Sequence, residues 1–352
     1  MPETTTVKPT QLQVEPILND VLGAIDRERE REIISRRYGL FDRKETLEQI
    51  GELLGITRER VRQLEKSVMT KLQAMADKDE LPHVDELDEV FTTQLAESGK
   101  VAKISDLSAK LTDKNTKIDQ SRVAFLARLT PSITFVVEND HFHNAAALAS
   151  EFSEKGVRDK VTDVVNAIKK IGKPVTIKEV AGAMASTDPQ ETAALASVSK
   201  NLATLNGRWG LIKWPMVNPK NIRDKIYVIL YENGKQMHFN EIAEAISGSD
   251  FKRKDVTTQA IHNELIKDKR FILVGRGIYA LKEWGFKQGT VSDVIEEVLK
   301  EAGKPLHRDE IVKRVLKKRF VKETTILLNL QGKPQFVRTA KATYTLAEEP
   351  KK

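Results

Sequence analysis

Cysteine is absent from the 352 residues, which excludes disulfides, thiolate zinc sites and cysteine nucleophiles together. Histidine is scarce, with six copies. The one close pair, His141 and His143, reads more simply as surface polarity than as a pair of metal ligands. Aromatic residues make up only 6%, and no apolar run approaches the roughly 20 residues that span a bilayer. The opening MPETTTVKPTQLQVEP lacks the basic-then-apolar layout of a secretory signal, so a cytoplasmic protein is expected. Neither a phosphate-cradling glycine loop nor an Asp/Glu/Lys nuclease constellation is found, so the expectation is no enzyme, no cofactor, no small-molecule substrate and no membrane contact.

What is present is charge. It makes up 31% of the chain with a net +7, and its distribution is uneven. Residues 1–77 carry net −1, 78–150 carry −4, 151–215 carry +3, 216–290 carry +4 and 291–352 carry +5. Basicity therefore accumulates toward the C-terminus, where a polyanionic partner would find it.

The stretch TLEQIGELLGITRERVRQLEKSV is the most informative. Thr46 with Gln49 forms a capping-box start, so a helix should begin at Leu47 and turn Ile50, Leu53 and Leu54 inward. Gly55 breaks it and Thr57 can cap the next. In that second helix Val61, Leu64, Val68 and Leu72 form one buried stripe, which leaves Arg58, Glu59, Arg62, Gln63 and Lys66 on the opposite face. Such a face could read a major groove, arginine bonding guanine, glutamine bonding adenine and glutamate accepting from cytosine. Arg60, at its edge, suits phosphate, as do Thr46 and Lys66. Periodicity alone fits equally well a solvated face whose Arg and Glu side chains pair with one another.

Beyond the Pro82 linker, four segments repeat a pattern of helix, glycine stop, short β-bridge and second helix. They start near Asp88, Val161, Ile222 and Val291, and their stops are Gly99, Gly172, Gly234 and Gly303. Each continues into a third helical stretch and a β-rich pair, which is the winged-helix order. The expected fold is mainly α with small β-hairpin wings, a helix-turn-helix domain followed by about four tandem winged-helix domains. The boundaries read as a tail at 1–16, a helix-turn-helix at 17–77, a linker at 78–85, and winged units at 86–147, 148–215, 216–288 and 289–347. The same units would also serve as compact packing modules that bind protein.

REREREIISRRYGL, TLEQIGELLG and ITRERVRQLEKSVMTKL resemble region four of housekeeping-type bacterial sigma factors, over about residues 17–75. The resemblance implies reading of the promoter minus-35 element in double-stranded DNA by Arg58, Glu59, Arg62 and Gln63, and docking on the β-subunit flap of RNA polymerase core. Nothing in the chain resembles sigma region two, so initiation by this chain alone is not expected.

KRFILVGRGIYALKEWG and the upstream MHFNEIAEAI resemble the HARE-type winged helix-turn-helix, a module also found in the delta subunit of some bacterial RNA polymerases. Gly275 and Gly277 flank Arg276 at the expected wing tip, where glycine permits a tight positive-φ turn and the arginine projects outward, toward DNA or simply into solvent. Lys252 and Lys254 suit phosphate, and Thr258, Gln259 and His262 on the following helix suit base or edge contact. In the last unit Lys317 and Lys318 lie in a basic cluster suited to DNA backbone. Trp209, Trp214 and Trp284 read as wing and core packing. The function expected is a DNA-binding, nucleoid-associated bacterial transcription factor working with RNA polymerase. The alternative is a polymerase-binding regulator, a decoy or delta-like accessory, whose sigma-like module docks on protein.

Overall fold

The computed structural model describes residues 12–251, 253, 255–286 and 289–347. Sixteen α-helices and four three-stranded antiparallel sheets are found among these residues, the mainly helical fold with small β wings that the sequence predicts. The chain separates into two compact units, Met1–Lys213 and Trp214–Lys352.

The first unit opens with α1 (Val14–Gly23), α2 (Glu28–Tyr38), α3 (Leu47–Leu54) and α4 (Arg58–Ala76). Helix α1 starts at Val14, ahead of the expected Ile17, and Leu12 and Val14 are themselves buried. The capping box between Thr46 and Gln49 is present, and Gly55 ends α3 at φ +63°, a conformation glycine adopts without a Cβ penalty. A small core of Ile33, Ile50 and Val61, flanked by Leu47, Leu54, Ile56 and Leu64, fixes this corner. Leu53 is the exception to the predicted inward face, being 55% exposed. Leu47, Ile50 and Leu54 already complete a stripe at three- and four-residue steps, and Leu53 falls beside it.

Every later repeat has the same connectivity. The first comprises α5 (Val84–Glu97), β1 (Val101–Lys103), α6 (Ile104–Leu111), α7 (Lys117–Leu129), β2 (Ile133–Val136) and β3 (Ala145–Leu148). The second comprises α8 (Glu154–Ile171), β4 (Val175–Thr176), α9 (Ile177–Ala183), α10 (Pro189–Val198), β5 (Leu202–Leu205) and β6 (Arg208–Leu211). In each, the third strand lies between the other two and pairs antiparallel with both. That is the winged-helix sheet order: a hairpin whose returning strand is clamped by the short strand between the first two helices.

In this unit the winged repeats are fused by packing. Residues 78–83 form a short turn that buries Leu81. One hydrophobic core then runs from Ile17, Leu18 and Val21 of α1 through Val68 and Leu72 of α4 to Leu107, Phe125 and Leu126 of α6 and α7. Arg122 of α7 reinforces it, its Nε donating to the Leu40 carbonyl at 2.8 Å and its Nη1 pairing with Glu15 at 2.8 Å. The third helix of the first repeat, α7, packs on α1, α2 and α4, and that of the second, α10, packs on β1 and α8. The first repeat's hairpin is also occupied: Phe142 bridges to Ser199, and Glu138 pairs with Lys200 at 2.6 Å.

The second unit holds the last two repeats. They are α11 (Ile222–Asn233), β7 (Met237–His238), α12 (Phe239–Gly248), α13 (Thr258–Lys267), β8 (Phe271–Gly275) and β9 (Ile278–Leu281), then α14 (Val291–Ala302), β10 (Leu306–His307), α15 (Arg308–Lys318), α16 (Glu323–Gly332), β11 (Phe336–Ala340) and β12 (Thr343–Leu346). Their sheets repeat the same strand order. The final repeat has its own core of Val294, Ile295, Val298, Ile311, Val315 and Ile326 with their neighbours. Trp284 packs beside Ile272, Val274 and Ala280, the packing role expected of it. Among the described residues no helix is long and apolar enough to cross a membrane.

Candidate nucleic-acid interface

α3 and α4 are joined by a three-residue turn, Gly55 to Thr57. An added Cβ at Gly51 would lie 2.7 Å from the Ile56 carbonyl oxygen, so the turn folds back onto α3 at a distance only glycine allows. Thr57 then starts α4, its hydroxyl accepting from the Arg60 amide at 3.2 Å. Val61 and Val68 anchor one side of α4. The opposite side carries Arg58, Glu59, Arg62, Gln63 and Lys66, all exposed, with Arg60 exposed at the edge. The outward face predicted from periodicity therefore exists as one continuous polar surface at the start of a rigidly seated helix.

Both alternatives left open by the sequence meet on this face, because its charges are exposed and also paired. Glu59 is gripped by Arg62 through Nε at 2.8 Å and Nη2 at 2.6 Å, and receives Gln63 Nε2 at 3.3 Å. These bonds, Arg62's first, pull the Glu59 carboxyl down to about 2, so it remains an ionised acceptor at any physiological pH. The same contact raises the Arg62 guanidinium. Arg58 reaches across to Glu48 of α3 at 2.7 Å, and Arg60 Nη1 meets Gln63 Oε1 at 3.4 Å. Solvent screening leaves exposed pairs of this kind weak. A base edge can therefore replace a partner at little cost, and until then the pairs hold the side chains in register. Thr46, placed for phosphate by the sequence, is exposed, but its hydroxyl and amide are engaged in the capping box.

In the second unit, Arg276 stands exposed in a two-residue turn closed by the Gly275–Ile278 pair. Only Gly277 of the two flanking glycines has positive φ, at +71°. Gly275 instead sits at a register shift in β8, so a bulge, rather than a second left-handed residue, supplies the curvature there. Thr258 and Gln259 are exposed on the first turn of α13, Gln259 bonding Asn263 at 3.0 Å. His262 departs from its expected outward position. It is half-buried, with its ring 4.8 Å from Phe239 and 6.1 Å from Tyr279, because the α13 face that carries it closes on α12 and the sheet. Lys252 and Lys254 lie outside the described residues.

The basic cluster of α15 is also thinned by its surroundings. Lys317 is exposed, but Lys318 is held by Glu301 at 2.6 Å and Arg314 by Glu310 at 2.7 Å. Arg319 donates to the Gly289 carbonyl and is half-buried. One wing residue escaped the sequence reading. Lys341 and Ala342 turn β11 into β12 as Arg276 and Gly277 turn β8 into β9: Ala342 has φ +57°, and its carbonyl receives the Arg308 amide as that of Gly277 receives Phe239. Lys341 is exposed at that tip. Aligning the final hairpins two residues before the last strand would have found it.

Among the described residues no cluster of histidine and carboxylate groups could hold a metal ion. The geometry of α3 and α4 is that of a helix-turn-helix, a domain class that presents its second helix to a groove. Comparison with known families places it further: residues 27–74 match the family described as Sigma-70, region 4. Over this segment the chain is 45% identical across 60 residues to the RNA polymerase principal sigma factor HrdD of Streptomyces griseus, covering 17% of this chain and 18% of that protein. It is 46% identical across 57 residues to the RNA polymerase sigma factor SigA of a Bacillus species, covering 16% and 15%. It is 52% identical across 46 residues to SigA1 of Synechococcus elongatus, covering 13% and 12%. The match spans less than a fifth of these relatives.

Proposed function

We propose that this protein is a sigma-like bacterial transcription factor that reads minus-35-type promoter DNA through Arg58, Glu59, Arg62 and Gln63. The observation that carries the reading is the exposed, pre-ordered polar face on the first turns of α4, within the segment matched by Sigma-70, region 4. Charge divides the labour. The segment charges of −1, −4 and +3 give the first unit net −2, and those of +4 and +5 give the second +9. Base reading therefore belongs to the first unit and most of the salt-sensitive grip to the second, through Arg276, Lys317, Lys341 and the open face of α13. The third repeat, 216–288, acts in this scheme as a HARE-like DNA-holding module. Association with RNA polymerase core through its β flap completes the proposal, and no catalysis is involved.

The test is fluorescence anisotropy of the full chain on a TTGACA duplex against a scrambled one, with and without polymerase core. A preference of tenfold or more is expected; equal affinity in both settings would remove the proposal. The mutual pairing of Arg58 with Glu48 and Arg62 with Glu59 also favours a second reading, in which the face is neutralised and docks on polymerase as a decoy. Arg58→Ala with Gln63→Ala separates the two. Loss of promoter binding and of regulatory activity while core still co-purifies supports reading, and unchanged regulatory activity supports the decoy.

A further inference from the structure

A cleft of about 560 Å³ lies between the loop joining α2 to α3 and the first winged repeat. Four cations line it: Arg43 and Lys44 from the loop, Lys103 from the end of β1 and Lys117 from the start of α7. Its one carboxylate, Glu138, is bound by Lys200 at 2.6 Å and by Asn144 Nδ2 at 3.5 Å. Lys103 leans on Asp106 at 3.3 Å. Among the described residues, no ion pair joins Arg43, Lys44 or Lys117 to a carboxylate.

Two further observations mark the cleft as electropositive. α6 starts without a side-chain cap, and although the Ile104 amide donates to the Asn144 carbonyl at 2.9 Å, its first residues Ile104 and Ser105 line the cleft, which adds the partial positive charge of that helix end to the cations. His143, in the same wall, has its imidazole pushed down by burial and then by Lys103 and Lys200. Four cations in one concavity, three of them without an ion-paired carboxylate, suit the uptake of a tetrahedral, multiply charged anion.

We propose that this cleft is a phosphate-binding site, filled by a backbone phosphate of DNA lying across α3 and α4 or by a free polyphosphate. The first source rests on the DNA-reading proposal; the second does not. Geometry favours the first. Lys44 is two residues from Thr46, the cap of α3, which places their Cα atoms within about 7.6 Å. The first helix of a helix-turn-helix crosses the backbone of the duplex that its second helix reads. A strand passing the start of α3 would therefore run on into the cleft. On this view the first winged repeat, with net charge −4 over 78–150, grips DNA through a local concentration of charge that its total conceals.

The experiment compares the full chain with Lys103→Gln/Lys117→Gln and with the charge-keeping Lys103→Arg/Lys117→Arg, all checked for equal thermal melting. One arm measures the salt dependence of binding to a minus-35 duplex with ten flanking base pairs on each side; the other titrates sodium pyrophosphate calorimetrically without DNA. A shallower salt slope for the Gln variant, by about 1.8 for two lost phosphate contacts, restored by Arg, identifies the DNA backbone. An unchanged slope with pyrophosphate binding weakened at least tenfold by Gln and kept by Arg identifies a free polyphosphate. Equal slopes together with pyrophosphate binding that is absent or identical in all three proteins would overturn the site. Failure of base reading by α4 has a different signature, a lost TTGACA preference in the unmodified chain, which leaves the pyrophosphate arm unaffected.

Discussion

Phe125 belongs to the first winged repeat, yet its fate should be read in the helix-turn-helix. It is fully buried in the core shared by α1, α4, α6 and α7, and its ring meets Tyr38 of α2 edge-on at 5.1 Å. Phe125→Ala should cost about 3–5 kcal/mol for transfer and cavity, of which the lost edge-on pair is about 0.5–1.5 kcal/mol. Phe125→Leu should cost about 1 kcal/mol and leaves the protein folded. Because one core serves both modules, hydrogen exchange of α4 amides from Val68 to Ala76 should speed up with that of α7. At about 1.4 kcal/mol per decade, the expected factor is roughly fivefold for Leu and a hundredfold or more for Ala. Native protection of α1 and α4 in the Leu variant, with α7 alone exchanging faster, would refute the shared core and with it the claim that α4 is seated by its winged neighbour.

Three further outcomes follow from named contacts. Arg58→Ala and Gln63→Ala should each lose about 1–3 kcal/mol of discrimination at one base position, whereas Lys66→Ala should weaken TTGACA and scrambled duplexes alike; uniform weakening by all three would deny base reading. Arg276→Ala and Lys341→Ala should each lower the salt slope by about 0.9, with no effect from Lys318→Ala, whose partner is Glu301; an equal drop for Lys318→Ala would contradict the pairing. His83 joins α1 to α5, its imidazole raised above 6.5 first by Asp20 at 2.8 Å and then by Glu86 at 3.1 Å. Its contribution is fully present below pH 6.5 and fades as pH rises through the raised native value. The urea midpoint should therefore fall over that window in the unmodified chain, by more than in His83→Ala; parallel pH profiles would show that the joint does not titrate.

Local chemistry sufficed for a large part of this architecture. The Thr46–Gln49 box, the Gly55 stop, the Val61–Leu72 stripe and the glycine ends of α8, α11 and α14 each depend on residues within a few positions of one another. Capping and helical periodicity are local in that sense, so the outward face of Arg58, Glu59, Arg62 and Gln63 was legible too. What the face would touch in the free protein was not: Arg58 finds Glu48 across the turn, a choice made by the angle between two helices. The turn inward of His262, the capture of Lys318 by Glu301 and the consumption of α7 and α10 in packing depend on partners distant in sequence or in another element. The cleft of Arg43, Lys44, Lys103 and Lys117 joins residues up to 74 positions apart inside a segment pair of net negative charge. By itself, then, the sequence determined the order of helices and hairpins and the outward face of α4, because those obey short-range periodicity and capping. Only the tertiary structure decided which modules remain open to a partner, because burial and charge pairing are settled by long-range packing.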